Sequence, residues 1–302
     1  MRNGRPFIKM HGLGNDFVIL DGRERPVPLE PVEVEIIANR QTGIGCDQLL
    51  VMGPSEKADA FMHIFNADGT EVDACGNGTR CVAALLMKEL EKDQVTIETN
   101  AGILAGYDGG EGLVTVDMGP VKSNWEEIPM AEEKDTLHVD IEIAQEDSED
   151  DPLIWDPIAV NVGNPHLVFL VKNPGAVDLE SIGPLIENSD LFPEGVNVGM
   201  AKINGEDTIR LRVWERGVGV TESCGTAACA ALVAAVRREH MGRSAVVEMD
   251  GGALGVHWRE DNGHVMLTGP TATVFEGEFN IADLLVSAMQ PKPDDDQPDD
   301  HH

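Results

Sequence analysis

Apolar residues arrive along this chain as short unbroken runs and as a helical stripe, and the whole arrangement then comes round a second time. Residues 17–20 (Phe-Val-Ile-Leu) and 167–171 (Leu-Val-Phe-Leu-Val) are continuous apolar runs, as expected of strands covered on both faces. Stretches at 61–65 and 209–214 predict a further strand in each half, and each leads through a loop to a cysteine. After those cysteines, Cys81, Val82, Leu85, Leu86 and Leu90 recur at helical spacing, as do Cys229, Leu232, Val233 and Val236. One helix per half is predicted, ending near Glu91-Lys92 and near Arg237-Arg238. Runs at 95–98, 113–116, 245–248 and 265–267 predict more strands, with Gly109-Gly110 and Asp261-Asn262-Gly263 as hairpin turns. Many strands around one apolar helix point to a sheet wrapped about a buried helix in each half.

The repetition is in register. Ala74-Cys75-Gly76-Asn77-Gly78-Thr79 answers Ser223-Cys224-Gly225-Thr226-Ala227-Ala228 at an offset of 149 residues, 224 against 75. The same offset relates Gly14-Asn15 to Gly163-Asn164, Gln48 to Asn197, and Phe65-Asn66 to Trp214-Glu215. By Gly119-Pro120 and Gly269-Pro270 the offset has become 150. A slip of one residue over that span is the mark of a duplicated domain. The fold class expected is therefore α/β (α+β), with two pseudo-symmetric duplicated domains. The acidic stretch around Glu146, Asp147, Glu149, Asp150 and Asp151 lies within a connection expected at 122–157. Residues 291–302 read as a disordered acidic tail.

Composition narrows the function classes. The 302 residues suffice for two domains, and the charge of −32, from 54 acids against 22 bases, disfavours nucleic acid and anionic membranes as partners. Either a solubilising surface or a salt-rich cytosol accounts for that charge. The chain has neither a long apolar span nor a secretory leader, and its five cysteines form no disulfide framework, so a cytoplasmic protein with reduced thiols is expected.

The chemistry lies in the paired cysteines. Cys75 and Cys224 each precede glycine and small residues at a predicted helix start, where free amides favour a thiolate and can grip a carboxylate. Two such ends facing each other would place a sulfur on either side of one carbon. One thiolate would remove its proton and the opposite thiol would return one, with no pyridoxal cofactor. Cys46, Cys81 and Cys229 read as structural. No zinc-like spacing is present, no metal is expected, and Gly12-Leu13-Gly14 is too short for a dinucleotide loop. The copies differ where Asn66-Ala67 becomes Glu215-Arg216. Glu215 suits an ammonium and Arg216 a carboxylate.

Residues 10–17 (Met-His-Gly-Leu-Gly-Asn-Asp-Phe), 65–69, 74–81, 163–166 and 215–226 together resemble the diaminopimelate epimerase family, from about Phe7 to Phe279. The resemblance implies two α/β domains, each a β-barrel-like sheet around a central helix, with the active site in the cleft between them. It implies a first repeat at 1–125 completed by a returning segment at 271–290, and a second repeat at 126–270. It implies that Cys75 and Cys224 are the acid/base pair and that the amides of Gly76, Asn77, Gly225 and Thr226 hold the reacting carboxylate. Asn15, Gln48, Asn66, Asn164, Asn197, Glu215 and Arg216 match substrate-binding positions, and His166 and Glu215 match positions that tune the cysteines. The implied reaction is cofactor-free inversion of LL-diaminopimelate to the meso form, by a homodimer, for lysine and possibly peptidoglycan synthesis. A proline or hydroxyproline racemase, a dithiol redox protein and a non-catalytic binding protein are the competing readings. Arg216 counts against the racemase, because proline has no distal carboxylate.

Overall fold

A computed structural model describes residues 4–73, 75–143 and 154–288. The first half runs β1 (Arg5–Gly12), β2 (Asn15–Asp21), α1 (Pro31–Ala38), β3 (Gln48–Gly53), β4 (Ala60–Asn66), β5 (Glu71–Val72), α2 (Gly76–Leu90), β6 (Gln94–Thr99), β7 (Gly102–Gly110) and β8 (Leu113–Pro120). After the short pair β9 (Glu142–Ile143) and β10 (Ile154–Trp155), the second half runs β11 (Ile158–Asn161), β12 (Pro165–Leu170), α3 (Leu179–Glu187), β13 (Asn197–Ile203) and β14 (Thr208–Glu215). It continues through β15 (Gly219–Thr221), α4 (Gly225–Arg237), β16 (Ser244–Met249), β17 (Gly252–Trp258) and β18 (His264–Pro270). The chain ends with β19 (Ala272–Phe279) and α5 (Ile281–Ala288).

The pairings repeat as the sequence does. In the first half β2–β3 and β4–β6 are parallel, while β3–β4, β4–β5, β6–β7 and β7–β8 are antiparallel. In the second half β12–β13 and β14–β16 are parallel, while β13–β14, β14–β15, β16–β17 and β17–β18 are antiparallel. The halves join where β8 pairs antiparallel with β18, Val116 opposite Leu267. Strand β19 leaves the second half and pairs antiparallel with β1.

Each half encloses its long helix. Cys81, Val82, Ala83 and Leu86 of α2 pack on Ile64, Ile97 and Val116. The last residue of that stripe, Leu90, emerges at 37% exposure. Helix α4 is alanine-rich because it is enclosed more completely: Ala227, Ala228, Ala230, Ala231, Ala234 and Ala235 are all buried. Small side chains let the sheet close tightly on the helix. Helices α1 and α3 cover outer faces and bury Val34 and Ile37, and Leu179 and Ile186.

One expectation changes. The first hairpin turns at Glu111-Gly112, both at positive φ, one to two residues beyond Gly109-Gly110, because β7 carries a bulge near Asp108 that lengthens it. The described part of the connection packs into the core. Ile128, Met130, Val139 and Ile154 are buried in one cluster with β12 and α3, since their side chains continue the outer apolar layer. The acidic cluster at Glu146–Asp151 and the tail at 291–302 lie outside the described residues.

Candidate active site

Strand ends and helix starts converge between the halves. Asn15, Gln48 and Asn197 open β2, β3 and β13, and Asn66 and Glu215 close β4 and β14. Cys75 and Cys224 are the N-cap residues of α2 and α4, with extended φ/ψ of −148/109 and −132/115. The two helices begin against each other. A Cβ built on Gly76 would stand 3.4 Å from a Leu267 methyl, and one built on Gly225 2.8 Å from the same atom.

A cleft of about 860 Å³ opens over these ends, walled by both halves. Asn15, Gln48, Asn66, Cys75, Gly76 and Asn77 contribute from the first, and Asn164, Glu215, Cys224, Gly225 and Thr226 from the second. The carboxamides are held in fixed orientations. Gln48 Nε2 donates to Asn66 Oδ1 at 2.9 Å, and Asn66 Nδ2 to Thr70 Oγ1 at 3.2 Å. Asn15 Nδ2 donates to Asp47 Oδ2 at 3.1 Å, and Asn15 Oδ1 accepts from Asn77 Nδ2 at 3.2 Å. The Cys75 sulfur lies 4.0 Å from that same Asn15 oxygen and accepts the Gly78 amide at 3.3 Å. Cys224 Sγ lies 3.4 Å from Thr226 Oγ1. Glu215 accepts from the Thr221 hydroxyl.

The electrostatics correct one expectation. Helix-end amides alone would favour thiolates, but burial outweighs them in the unliganded cleft. Desolvation pushes the Cys75 thiol up to about 11, with Glu215 adding to the rise, and it pushes Cys224 well above the ordinary thiol value, again with Glu215. Burial also raises the Glu215 carboxyl. Both sulfurs therefore rest as thiols with the carboxyl of Glu215 near each. Cys46, Cys81 and Cys229 are buried, with thiols raised by desolvation to about 11, 12 and 12.

Three expected residues stand outside the cleft wall. Asn197 is 2% exposed; its Nδ2 donates to the Pro165 carbonyl at 2.8 Å and its Oδ1 accepts the Arg216 amide at 3.0 Å. The Arg216 side chain is exposed, its guanidinium donating to the Glu194 carbonyl at 2.8 Å. His166 is fully buried, and desolvation, followed by the Arg216 charge, lowers it to about 3. It is therefore neutral, and its Nε2 lies 2.8 Å from Asn164 Oδ1, where it orients an amide of the wall. Sequence reasoning missed Arg40 and Asp47, which line the cleft and bond to each other at 2.7 Å. The signal was Asp47 immediately before Gln48, a position matched between the repeats. Among the described residues no cluster of His, Cys, Asp and Glu could hold a metal.

Two halves of one topology, each offering an N-cap cysteine to a shared cleft, define the class of two-domain, pseudo-symmetric isomerases. A solved hydroxyproline epimerase from Agrobacterium vitis shares the fold with a TM-score of 0.64 at 17% identity, covering 92% of each chain. The family model of diaminopimelate epimerase matches residues 7–123 and 158–274. A diaminopimelate epimerase of Phenylobacterium zucineum is 53% identical over 91% of this chain and 98% of its own, and one of Acidiphilium cryptum is 50% identical over 94% and 99%. The chain belongs to the diaminopimelate epimerase family, whose members are amino-acid isomerases of lysine biosynthesis.

Proposed function

We propose that this chain converts LL-diaminopimelate to the meso form with Cys75 and Cys224 as the acid/base pair and no cofactor. The observation carrying this reading is the pair of cysteines capping two helices that begin against one another, in a cleft lined by fixed carboxamides. The carboxylate beside the reacting carbon sits on the amides of Gly76, Asn77, Gly225 and Thr226, groups with no partner inside their helices. One cysteine, as thiolate, takes the α-proton. The C–H electron pair is left on carbon and spreads into the carboxylate those amides hold. The opposite thiol then gives its proton to the other face, so the two sulfurs exchange protonation states and the reverse direction becomes available.

Desolvation and the substrate carboxylate both disfavour a further anion, so the base cysteine gives its proton to solvent before the cleft closes, and the amides of the helix start that it caps stabilise the thiolate. Glu215 accepts from a substrate ammonium, and the distal carboxylate is read by Arg216. Arg216 leaves the Glu194 carbonyl and pairs with the distal carboxylate, its backbone held by Asn197. His166 acts through Asn164. The protein works as a cytoplasmic homodimer, a reading supported by its resemblance to the family. No described helix is long and apolar enough to cross a membrane.

Turnover of LL-diaminopimelate by the reduced protein in deuterated water, followed by chiral separation and mass spectrometry, tests the scheme. Meso product labelled at the inverted carbon is expected. Inverted product without label would sink the two-cysteine mechanism.

A further inference from the structure

Arg80 is the largest side chain fully withdrawn from solvent among the described residues, at 0% exposure. It sits one turn into α2, in the space between α2, β1 and β18. Its Nη2 donates to Asn77 Oδ1 at 2.8 Å, while Nε and Nη1 have no hydrogen-bond partner among the described residues. No carboxylate among those residues pairs with it. Two glycines make room for it: a Cβ at Gly12 would stand 2.9 Å from Nη2, and one at Gly269 3.3 Å from Cζ. The ionisable groups facing it are thiols, those of Cys81 and Cys75 on its own helix and of Cys229 on α4. Cys75 in turn is faced by Glu215 from β14 and by Arg80.

A guanidinium cannot shed its charge, and a buried cation with no anion is costly. The cost is met if an anion forms beside it during turnover. Cys81 and Cys229 are sealed in the core, which leaves Cys75, connected to Arg80 through Asn77 and Asn15. We infer that Arg80 is a positioning residue whose fixed positive charge, one turn into the helix that Cys75 caps, holds Cys75 as the thiolate once its proton has gone to solvent. This rests on the acid/base reading of Cys75. Without the cation, Glu215 would be the charge acting on that sulfur, and it acts in the opposite sense.

The test is alkylation of Cys75 by iodoacetamide across pH, scored by peptide mapping, in the reduced protein and in Arg80→Gln, Arg80→Met and Arg80→Lys. It needs no substrate, so a shift in alkylation without epimerisation would leave this inference standing while the proposed reaction fell. In the neutral variants the midpoint at Cys75 should rise by about one unit, so that alkylation below the midpoint is about tenfold slower. Arg80→Lys should stay within about threefold of the parent, with Cys46 unchanged throughout. A folded neutral variant with a lower thermal midpoint and an unmoved Cys75 profile overturns the inference, since Arg80 would then only fill space. So does a fold that survives Lys but neither Gln nor Met, since the charge would then serve the fold alone.

Discussion

Cys75 and Cys224 occupy the same position of the repeat but have different neighbours. The first accepts an amide at 3.3 Å and the second faces a threonine hydroxyl at 3.4 Å. In the proposed mechanism each sulfur serves one face of the carbon, so neither would replace the other. Cys75→Ala and Cys224→Ala should each leave less than about a hundredth of the epimerase rate, at the strong end of general acid–base effects. Cys46→Ala, Cys81→Ala and Cys229→Ala should keep most of it. Steady-state assays of the five variants check this, and a Cys75→Ala enzyme retaining a large share of the rate would remove that residue from the chemistry. At Arg216 the guanidinium now rests on Glu194, so its role depends on movement toward the substrate. Arg216→Lys keeps the charge but loses one hydrogen bond of a bidentate pair, costing about 1.5–3 kcal/mol in kcat/KM. Unchanged efficiency would return Arg216 to the surface. The cysteine pair was legible because its flanking residues repeat in register. Arg80 was not, since a basic residue on a helix reads as solvent-facing until the surrounding fold is known.

Among the elements, those with unbroken apolar runs were read correctly: β2 and β12, and the helices α2 and α4 with their stripes. Helices α1 and α3 escaped notice, being eight and nine residues long and covering only one face. Strand β1 escaped too, because Lys9 interrupts its apolar pattern. That lysine is 7% exposed and is paired with Asp16 at the head of β2. Asp16 also receives Arg40, at 2.6 Å, so the group ties β1 and β2 to the loop that carries Asp47 and leads into β3. Burial alone would raise the Asp16 carboxyl, but hydrogen bonds from Arg40, Lys9 and Asp47 hold it well below the usual carboxylate range. The folded value lies below the unfolded one. The contribution to stability is therefore complete above about pH 4, the unfolded aspartate value, and is lost as pH falls. Asp16→Asn leaves the Lys9 ammonium buried without its partner and should destabilise by about 3–5 kcal/mol. Urea unfolding at neutral pH reads the loss, and the variant should lose less of its remaining stability than the parent on acidification. An acid limb equal to the parent's would place the titrating group elsewhere.

For the whole molecule, duplication was visible in the sequence, whereas the way the copies meet was not. The seam is one antiparallel pairing, β8 with β18, and Leu267 on that seam is the atom cluster on which both helices begin. No run of residues announces it, because the contact joins positions some 150 residues apart. The seam has a chemical consequence. Two helix starts resting on one leucine bring their N-cap sulfurs to the same end of the cleft, and neither cysteine is in a disulfide. A disulfide needs Cα atoms roughly 4.4–6.8 Å apart, within reach of a modest shift of the halves about the seam. A mild oxidant should therefore inactivate the empty enzyme by joining Cys75 to Cys224. A reductant should restore activity, and bound diaminopimelate should protect it by standing between the sulfurs. The alternative chemistry, oxidation of single thiols to sulfinic acid, would not be reversed by a reductant. Peptide mapping of the oxidised protein separates the two. A Cys75–Cys224 cross-linked peptide that disappears on reduction is expected, and its absence from an inactivated sample would mean that the two thiols do not face one another across the cleft.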